Sequence, residues 1–262
     1  MARASAATRD VLSAVSRLPL HEVVELRSPD GRELFLLGET HVKTRRAAGI
    51  CRQAVQGFSL RGVERLQRDQ VFAGRFLGAL LETTRGALQL LSGGRLAGST
   101  IEVALDLPEG ITVELERSRR VPFGLHVGTA YLAVYMGLVL PALLLLPWWG
   151  TIAALRPLRA TVKLLGLHLY ALPVAYVLRE RPWASAIQPL LTILTVRDDL
   201  LADGIRRMVA THRGPALVIV GRAHLRGLVA RLLEHGFRRA APGAQGASAA
   251  RGKSDRRSRA AS

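Results

Sequence analysis

Two stretches decide the fold: residues 34–42, LFLLGETHV, and residues 217–225, LVIVGRAHL. Each begins with an apolar run, continues with Gly-x-x-His and leads into a helical pattern. A continuous apolar run that ends at Gly predicts a buried strand, and Gly permits the sharp turn at the strand end. Ligands collect outside the carboxyl ends of the strands in an open α/β sheet. The pattern therefore predicts that His41 and His224 lie just beyond two strand ends and contribute to one site.

The segments around the first stretch predict a βαβ unit. Residues 21–26 alternate in polarity as a strand does, and a Pro-Asp-Gly turn at 29–31 joins them to the strand before Gly38. A helix is expected over residues 42–57 and a further strand over 58–64, with another at 111–115. Parallel crossovers bring successive strand ends to one side of a sheet, so Glu64 is predicted at the same edge as His41.

Residues 121–155 contain no Asp, Glu, Lys or Arg, and residues 164–178 and 183–196 are also apolar. About 20 apolar residues suffice to cross a bilayer, and the adjacent Trp148 and Trp149 fit a membrane interface. The alternative is a buried core helix, although such a helix usually keeps a polar face. If both Gly-x-x-His stretches belong to one sheet, the crossings must be even in number. We therefore expect a transmembrane helical hairpin inserted into one domain.

Composition divides the chain into four parts. Residues 1–124 and 197–239 are expected to be the two halves of one domain, residues 125–196 a membrane-embedded helical insertion, and residues 240–262 a disordered basic tail. Residues 1–10 lack the apolar segment of a secretory signal. The expected location is the cell membrane, as a multi-pass protein whose soluble domain faces the cytoplasm.

The formal net charge of +17 comes from Arg, since the chain has only three lysines. A basic chain suggests nucleic acid as a partner, but no zinc-finger, RRM-like or helix-turn-helix pattern accompanies the charge. Anionic lipid headgroups explain the charge equally well, so we expect membrane lipid and no specific nucleic acid.

Cys51 is the only cysteine. It excludes an intramolecular disulfide and predicts a small core residue and no Cys-based metal site.

Two His residues and one Glu form a familiar ligand set for a divalent metal ion. His41, His224 and Glu64 would suit Zn²⁺, Mn²⁺, Co²⁺ or Fe²⁺ and leave a position for water, which the metal would turn into a nucleophile. A metal-free alternative uses Glu39 or Glu64 as a general base oriented by His. In the simplest alternative each His only caps a helix or fills a polar gap.

The sequence resembles the TraB/PrgY/GumN family, which includes the Tiki metalloproteases and lies near the ChaN and erythromycin-esterase-like hydrolases. Four pieces outside the apolar insertion and the tail carry the resemblance. They are GETH at 38–41, GVE at 62–64, RDDLLA at 197–202 and VGRAHLRGL at 220–228.

The resemblance implies an α+β fold in which an α/β-like central sheet and its flanking helices come from two related halves. It also implies a metal-dependent hydrolase centre, with His41, Glu64 and His224 as metal ligands. Arg197 would hold a carboxylate or a substrate oxyanion. Glu114, in VELERSR at 113–119, resembles the family's glutamate signature by letter, but it lies far from His41 in the sequence and remains a rival to Glu64.

The function expected from these observations is a membrane-anchored hydrolase, in particular a metallopeptidase that acts on a peptide or protein. Its catalytic residues would be Glu64, Glu39 and Arg197. The alternative function is a non-catalytic membrane regulator that binds a peptide or signalling ligand in the same pocket.

Overall fold

A computed structural model describes residues 3–40, 43–65, 68–117, 121–139 and 188–240, with residues 160, 163, 167, 174 and 177 between the last two ranges. Within these residues the fold is α+β, with seven α-helices and a mixed sheet. The strands are β1 (Glu22–Arg27), β2 (Glu33–Glu39), β3 (Lys43–Thr44), β4 (Leu60–Val63), β5 (Leu96–Ala97), β6 (Ile111–Glu114), β7 (Ala216–Gly221) and β8 (Arg238–Arg239). The helices are α1 (Ala6–Ser16), α2 (Arg45–Gln56), α3 (Gly74–Leu91), α4 (Thr100–Asp106), α5 (Phe123–Val134), α6 (Leu190–Thr211) and α7 (Arg222–Glu234). A 3₁₀ turn (Arg68–Gln70) precedes α3, and a π-helical turn (Tyr135–Val139) continues α5.

The main sheet has the strand order β6, β4, β7, β2, β1, β8. Strands β6, β4, β7 and β2 run parallel to one another, whereas β1 runs antiparallel to β2 and β8 antiparallel to β1. Strands β3 and β5 form a separate antiparallel pair. The two Gly-x-x-His stretches therefore belong to neighbouring parallel strands, because β7 pairs directly with β2.

Helices cover both faces of the sheet, which explains why β2 and β7 are apolar without alternation. Along β2, Leu34 and Leu36 pack in the hydrophobic cluster that includes residues of α6 and α7. Phe35 and Leu37 pack in the cluster on the other face, with residues of α1, α2 and α4. Full burial of one such side chain contributes about 1.5–3 kcal/mol. The strands that carry the site are therefore held from both sides.

The predicted transmembrane hairpin over residues 125–196 is wrong for the part of it that the structure describes. No helix in the described ranges is both long enough and apolar enough to cross a membrane. Helix α5 has 12 residues and packs on α6, where a Cβ at Gly128 would lie 2.4 Å from Thr192 Oγ1 and 3.0 Å from the Pro189 carbonyl oxygen. One side of α5 is therefore used in close helix–helix packing.

The remainder of the predicted insertion, including residues 140–159, lies outside the described residues, as does the predicted tail from residue 241 onward. The expected location at the cell membrane, the cytoplasmic placement of the domain and the lipid partner stay predictions.

The RDDLLA stretch at 197–202 lies inside a helix that begins well before it. Helix α6 starts at Leu190, so Arg197 and Asp198 lie beyond its second turn and not at its N-terminus. The direction of their side chains is consequently set by the packing of α6 on α7 and on the sheet. This placement brings them to the candidate site.

Candidate functional site

The carboxyl ends of β2, β7, β4 and β6 meet at one edge of the sheet. Gly38 pairs with Val220 and Glu39 with Gly221, so the second Gly-x-x-His motif is displaced by one residue along its strand relative to the first. His41 lies outside the described residues. Within the described residues, the site consists of residues from the ends of β7, β4 and β6 and from α6 and α7.

His224 lies in the first turn of α7, which follows β7 without an intervening loop. Its side chain is buried, and Nδ1 lies 2.8 Å from Asp198 Oδ1. Nε2 lies 3.6 Å from Glu64 Oε1. A carboxylate at Nδ1 fixes the orientation and tautomer of an imidazole, so that Nε2 is left as the basic nitrogen.

Glu64 follows the last residue of β4, and its backbone N–H continues the strand pairing by donating to the Ile219 carbonyl oxygen at 3.0 Å. Oε2 accepts a hydrogen bond from the backbone N–H of Gly221 at 2.5 Å. Oε1 accepts one from Arg197 Nη2 at 2.6 Å. Both carboxylate oxygens are thus committed to donors from the protein itself.

Arg197 joins Glu64 to a second buried carboxylate, that of Glu116. Nε and Nη2 of Arg197 donate to the two oxygens of Glu116 at 2.5 and 2.9 Å, the fork geometry that suits a guanidinium. Burial alone would lower the pKa of Arg197, but the charges of Glu64 and Glu116 outweigh it and raise the pKa above its usual value. Arg197 therefore remains charged at every accessible pH.

Arg197 is also the member of the group nearest to solvent. Its side chain is 14% exposed, whereas those of Glu64, Glu116, Asp198 and His224 are 5% exposed or less. A ligand that approaches this edge of the sheet would therefore meet the guanidinium first.

The structure separates the two rival glutamates. Glu114 pairs with Arg65 at 2.6 Å, with side chains 32% and 57% exposed. Glu64 is the glutamate that lies beside His224 and Arg197. Of these two, Glu64 is the candidate site acid.

Glu39, expected as a catalytic residue, belongs to a different buried group. Oε1 accepts hydrogen bonds from Ser99 Oγ at 2.8 Å and from the backbone N–H of Thr100 at 2.9 Å, and Oε2 pairs with Lys43 Nζ. Successive residues of a strand point to opposite faces. Position 38 faces α7, where a Cβ would lie 2.9 Å from a Leu225 methyl, so Glu39 faces α2 and α4. The sheet lies between Glu39 and the group around His224.

Sequence reasoning missed Glu116 and gave Asp198 no role. Glu116 lies just past the end of β6, one of the four parallel strands, and that position was its only signal. Asp198 was quoted only within RDDLLA at 197–202, and its place beside His224 follows from the packing of α6 on α7. His21 was also missed, and it lies near Glu39.

The expected metal site at His41, Glu64 and His224 does not fit the described part of the group. Glu64 already accepts from Gly221 and Arg197, and the fixed charge of Arg197 lies 2.6 Å from the carboxylate that would have to face a cation. Within the described ranges the only group of three potential ligands within reach of one another is His21, Glu39 and Cys51. The metal expected at His224 stays a prediction.

An open cavity of about 640 Å³ lies away from this group, between the β1–β2 turn and the C-terminal half of α6. Its lining includes Pro29, Asp30 and Arg206 and none of the residues around His224. The cavity is therefore not the candidate site.

Comparison with known proteins gives no relative: no family model, no curated protein and no solved structure matches this chain.

Proposed function

We propose that this protein is a hydrolase of ester or amide bonds in which His224 is the general base that activates water. The observation that supports it most strongly is the 2.8 Å contact between Asp198 Oδ1 and His224 Nδ1, with Nε2 turned toward Glu64. The proposal retains the hydrolase function expected from the sequence but, unlike the metal-free alternative with Glu39 or Glu64 as the base, makes His224 the general base.

In the proposed reaction, water gives a proton to His224 Nε2 while its oxygen bonds to the substrate carbonyl carbon. The tetrahedral intermediate then collapses, and the leaving group takes the proton back from Nε2. General-base assistance of this kind contributes about 10²- to 10⁴-fold. The imidazolium that forms in between is stabilised by the carboxylates of Asp198 and Glu64, which lie on either side of the ring.

Arg197 and Glu116 act as positioning residues in this proposal. The two hydrogen bonds from Arg197 to the Glu116 carboxylate fix the position of the guanidinium. The guanidinium in turn holds Glu64 Oε1 next to His224. Arg197 was expected to hold a carboxylate or a substrate oxyanion, and its Nε and Nη2 donate to the carboxylates of Glu116 and Glu64. The peptide or protein substrate implied by the family resemblance remains part of the proposal.

A second candidate function is ligand binding without chemistry, the regulator considered from the sequence. The burial of His224, Glu64 and Asp198 favours it, because a general base must be reached by water and by substrate. Under this function, replacement of His224 would leave ligand-dependent effects in the cell intact.

The first experiment is a hydrolysis screen of the purified full chain against aryl esters, lactones and fluorogenic peptides, with a chelator present throughout. We expect turnover that His224→Gln reduces by about 100-fold or more, within the range given for general-base catalysis. His235→Gln is the matched control, because His235 is exposed beyond the end of α7. A folded wild-type protein that is inactive on the whole panel, or turnover that both variants retain, would count against the proposal.

A further inference from the structure

A second buried group lies on the opposite face of the sheet from His224. One ring nitrogen of His21, one carboxylate oxygen of Glu39 and Sγ of Cys51 lie within 4.8 Å of one another. All three side chains are buried, and His21 is 7% exposed. They come from the residue before β1, the end of β2 and the middle of α2.

Strand pairing explains why His21 and Glu39 meet. Strand β1 is antiparallel to β2, with Glu22 opposite Gly38. Continuing that register by one residue sets His21 opposite Glu39, on the face of the sheet that α2 covers. Cys51 projects from α2 into the same layer, where it is fully buried with Phe35 and Leu37.

The imidazole of His21 is held in one orientation. Nδ1 lies 2.8 Å from the carbonyl oxygen of Pro19. A carbonyl oxygen only accepts hydrogen bonds, so Nδ1 carries a proton, and in the neutral imidazole the lone pair is then on Nε2. Nε2 is buried, and no hydrogen-bond partner for it exists among the residues that the structure describes. Metal-ligating His residues commonly donate one ring nitrogen to a backbone carbonyl and bind the metal through the other nitrogen. His21 has this arrangement of hydrogen bonds.

We propose that His21 Nε2, Cys51 Sγ and a carboxylate oxygen of Glu39 form a binding site for a thiolate-seeking divalent cation of the zinc type. Nitrogen, sulfur and oxygen donors of these kinds are the ones that Zn²⁺ takes in proteins, commonly with water as a fourth ligand. On binding, the Cys51 S–H bond breaks and the sulfur–metal bond forms, and the proton leaves to solvent.

The distances allow such a site after small movements. With metal–ligand bonds of about 2.0–2.3 Å, tetrahedral ligands lie about 3.3–3.8 Å apart. One ring nitrogen of His21, one carboxylate oxygen of Glu39 and Cys51 Sγ already lie within 4.8 Å of one another, so closure on an ion requires shifts on the order of 1 Å. Side-chain rotation covers that range without a change in the strands.

Lys43 is the group that opposes the cation. Its ammonium pairs with Glu39 Oε2 and also donates to Thr100 Oγ1. The thiolate and the carboxylate together neutralise a dication, and Thr100 can retain the ammonium when Glu39 turns to the metal. Removing the Lys43 ammonium should therefore tighten binding of the divalent cation. A cation bound elsewhere in the chain would not respond to this substitution.

The test uses the metal-free full chain titrated with Co²⁺, followed by displacement with Zn²⁺. We expect one equivalent of Co²⁺ with a thiolate-to-cobalt absorption band. Cys51→Ser should abolish the band, and His21→Gln should weaken binding at least tenfold. Lys43→Met should tighten binding, and the control His235→Gln should change nothing. Because the site is independent of His224, His224→Gln should also bind normally, whatever the outcome of the hydrolysis screen.

A band that persists in Cys51→Ser, or the absence of any stoichiometric binding by the wild-type chain, would overturn the proposal. A second measurement covers the case in which Cys51→Ser does not fold. Cys51 is the only thiol of the chain, so alkylation in mild denaturant reports on it alone. One equivalent of Zn²⁺ should slow alkylation of the wild-type protein at least tenfold, and unchanged alkylation would contradict the site.

Discussion

The carboxylate of Asp198 fills the space in which a side chain at Gly227 would begin. A Cβ at position 227 would lie 1.8 Å from Asp198 Oδ2, which is far too short for two non-bonded atoms. Both residues belong to long helices, α6 and α7, that pack on one another. Glycine at 227 is therefore what lets Asp198 reach His224.

Gly227→Ala should separate Asp198 from His224. The added methyl must displace the carboxylate or push α6 and α7 apart, and overpacking of this kind costs about 1–3 kcal/mol of unfolding free energy. We expect hydrolysis to fall at least tenfold, since the orientation of His224 depends on Asp198. Urea unfolding and the turnover of the best substrate from the screen measure both effects.

Gly49→Ala is the control for that substitution. Gly49 also lies inside a helix, but no atom would lie within 4 Å of its Cβ. Ala is favoured over Gly in a helix by about 0.8–1 kcal/mol, so this variant should be slightly more stable and fully active. Equal losses in the two variants would contradict the role given to Gly227.

Glu64→Gln should be much more damaging than Glu114→Gln. The first variant keeps the shape of the side chain but removes its charge next to the buried guanidinium of Arg197, and breaking a buried pair costs about 3–5 kcal/mol. The second removes an exposed pair with Arg65, worth about 0–1 kcal/mol. Chemical denaturation of both variants measures the difference. Similar stabilities of the two variants would contradict the buried ion pair between Glu64 and Arg197.

Arg61 is a buried arginine in β4. It is 1% exposed, and its Nε and Nη2 have no hydrogen-bond partner among the described residues. Burial lowers the pKa of its guanidinium, against the opposing charge of Glu109. Arg61→Met should leave the protein as stable as before or stabilise it by up to about 4 kcal/mol, because an apolar chain of similar length replaces a costly buried charge.

Thermal unfolding of Arg61→Met checks this expectation, with Arg65→Met, two residues past the end of β4, as the exposed control. A loss of more than about 1 kcal/mol in Arg61→Met alone would show that Arg61 makes a stabilising interaction and contradict this expectation.

The apolar runs of β2 and β7 were strong enough to predict both strands, and the Pro-Asp-Gly turn placed β1 correctly beside β2. The crossover rule led to Glu64, because a strand end could be located from Gly62 and the apolar residues before it. The alternation of side chains along β2 puts Gly38 and Glu39 on opposite faces of the sheet, so local pattern is sufficient to separate Glu39 from the residues around His224.

Other parts of the site depend on tertiary packing that no local pattern shows. The start of α6 follows Pro189 within an apolar stretch, so the sequence offered no polar cap to mark it. Hydropathy also cannot distinguish an apolar helix that faces lipid from one that packs on another helix, as α5 does on α6. Glu116 and Asp198 could not be assigned before that packing was known.

The most direct test compares Asp198→Asn with Asp199→Asn. Asp198 orients His224, whereas its neighbour Asp199 is 57% exposed and pairs with Arg231 on the surface. Loss of the carboxylate from a catalytic Asp–His pair costs about 10⁴-fold in turnover. We predict that kcat/KM falls at least 10³-fold in Asp198→Asn, by that precedent, and changes less than about twofold in Asp199→Asn, as expected for a surface pair. Equal activity of the two variants would contradict the proposed hydrolytic centre.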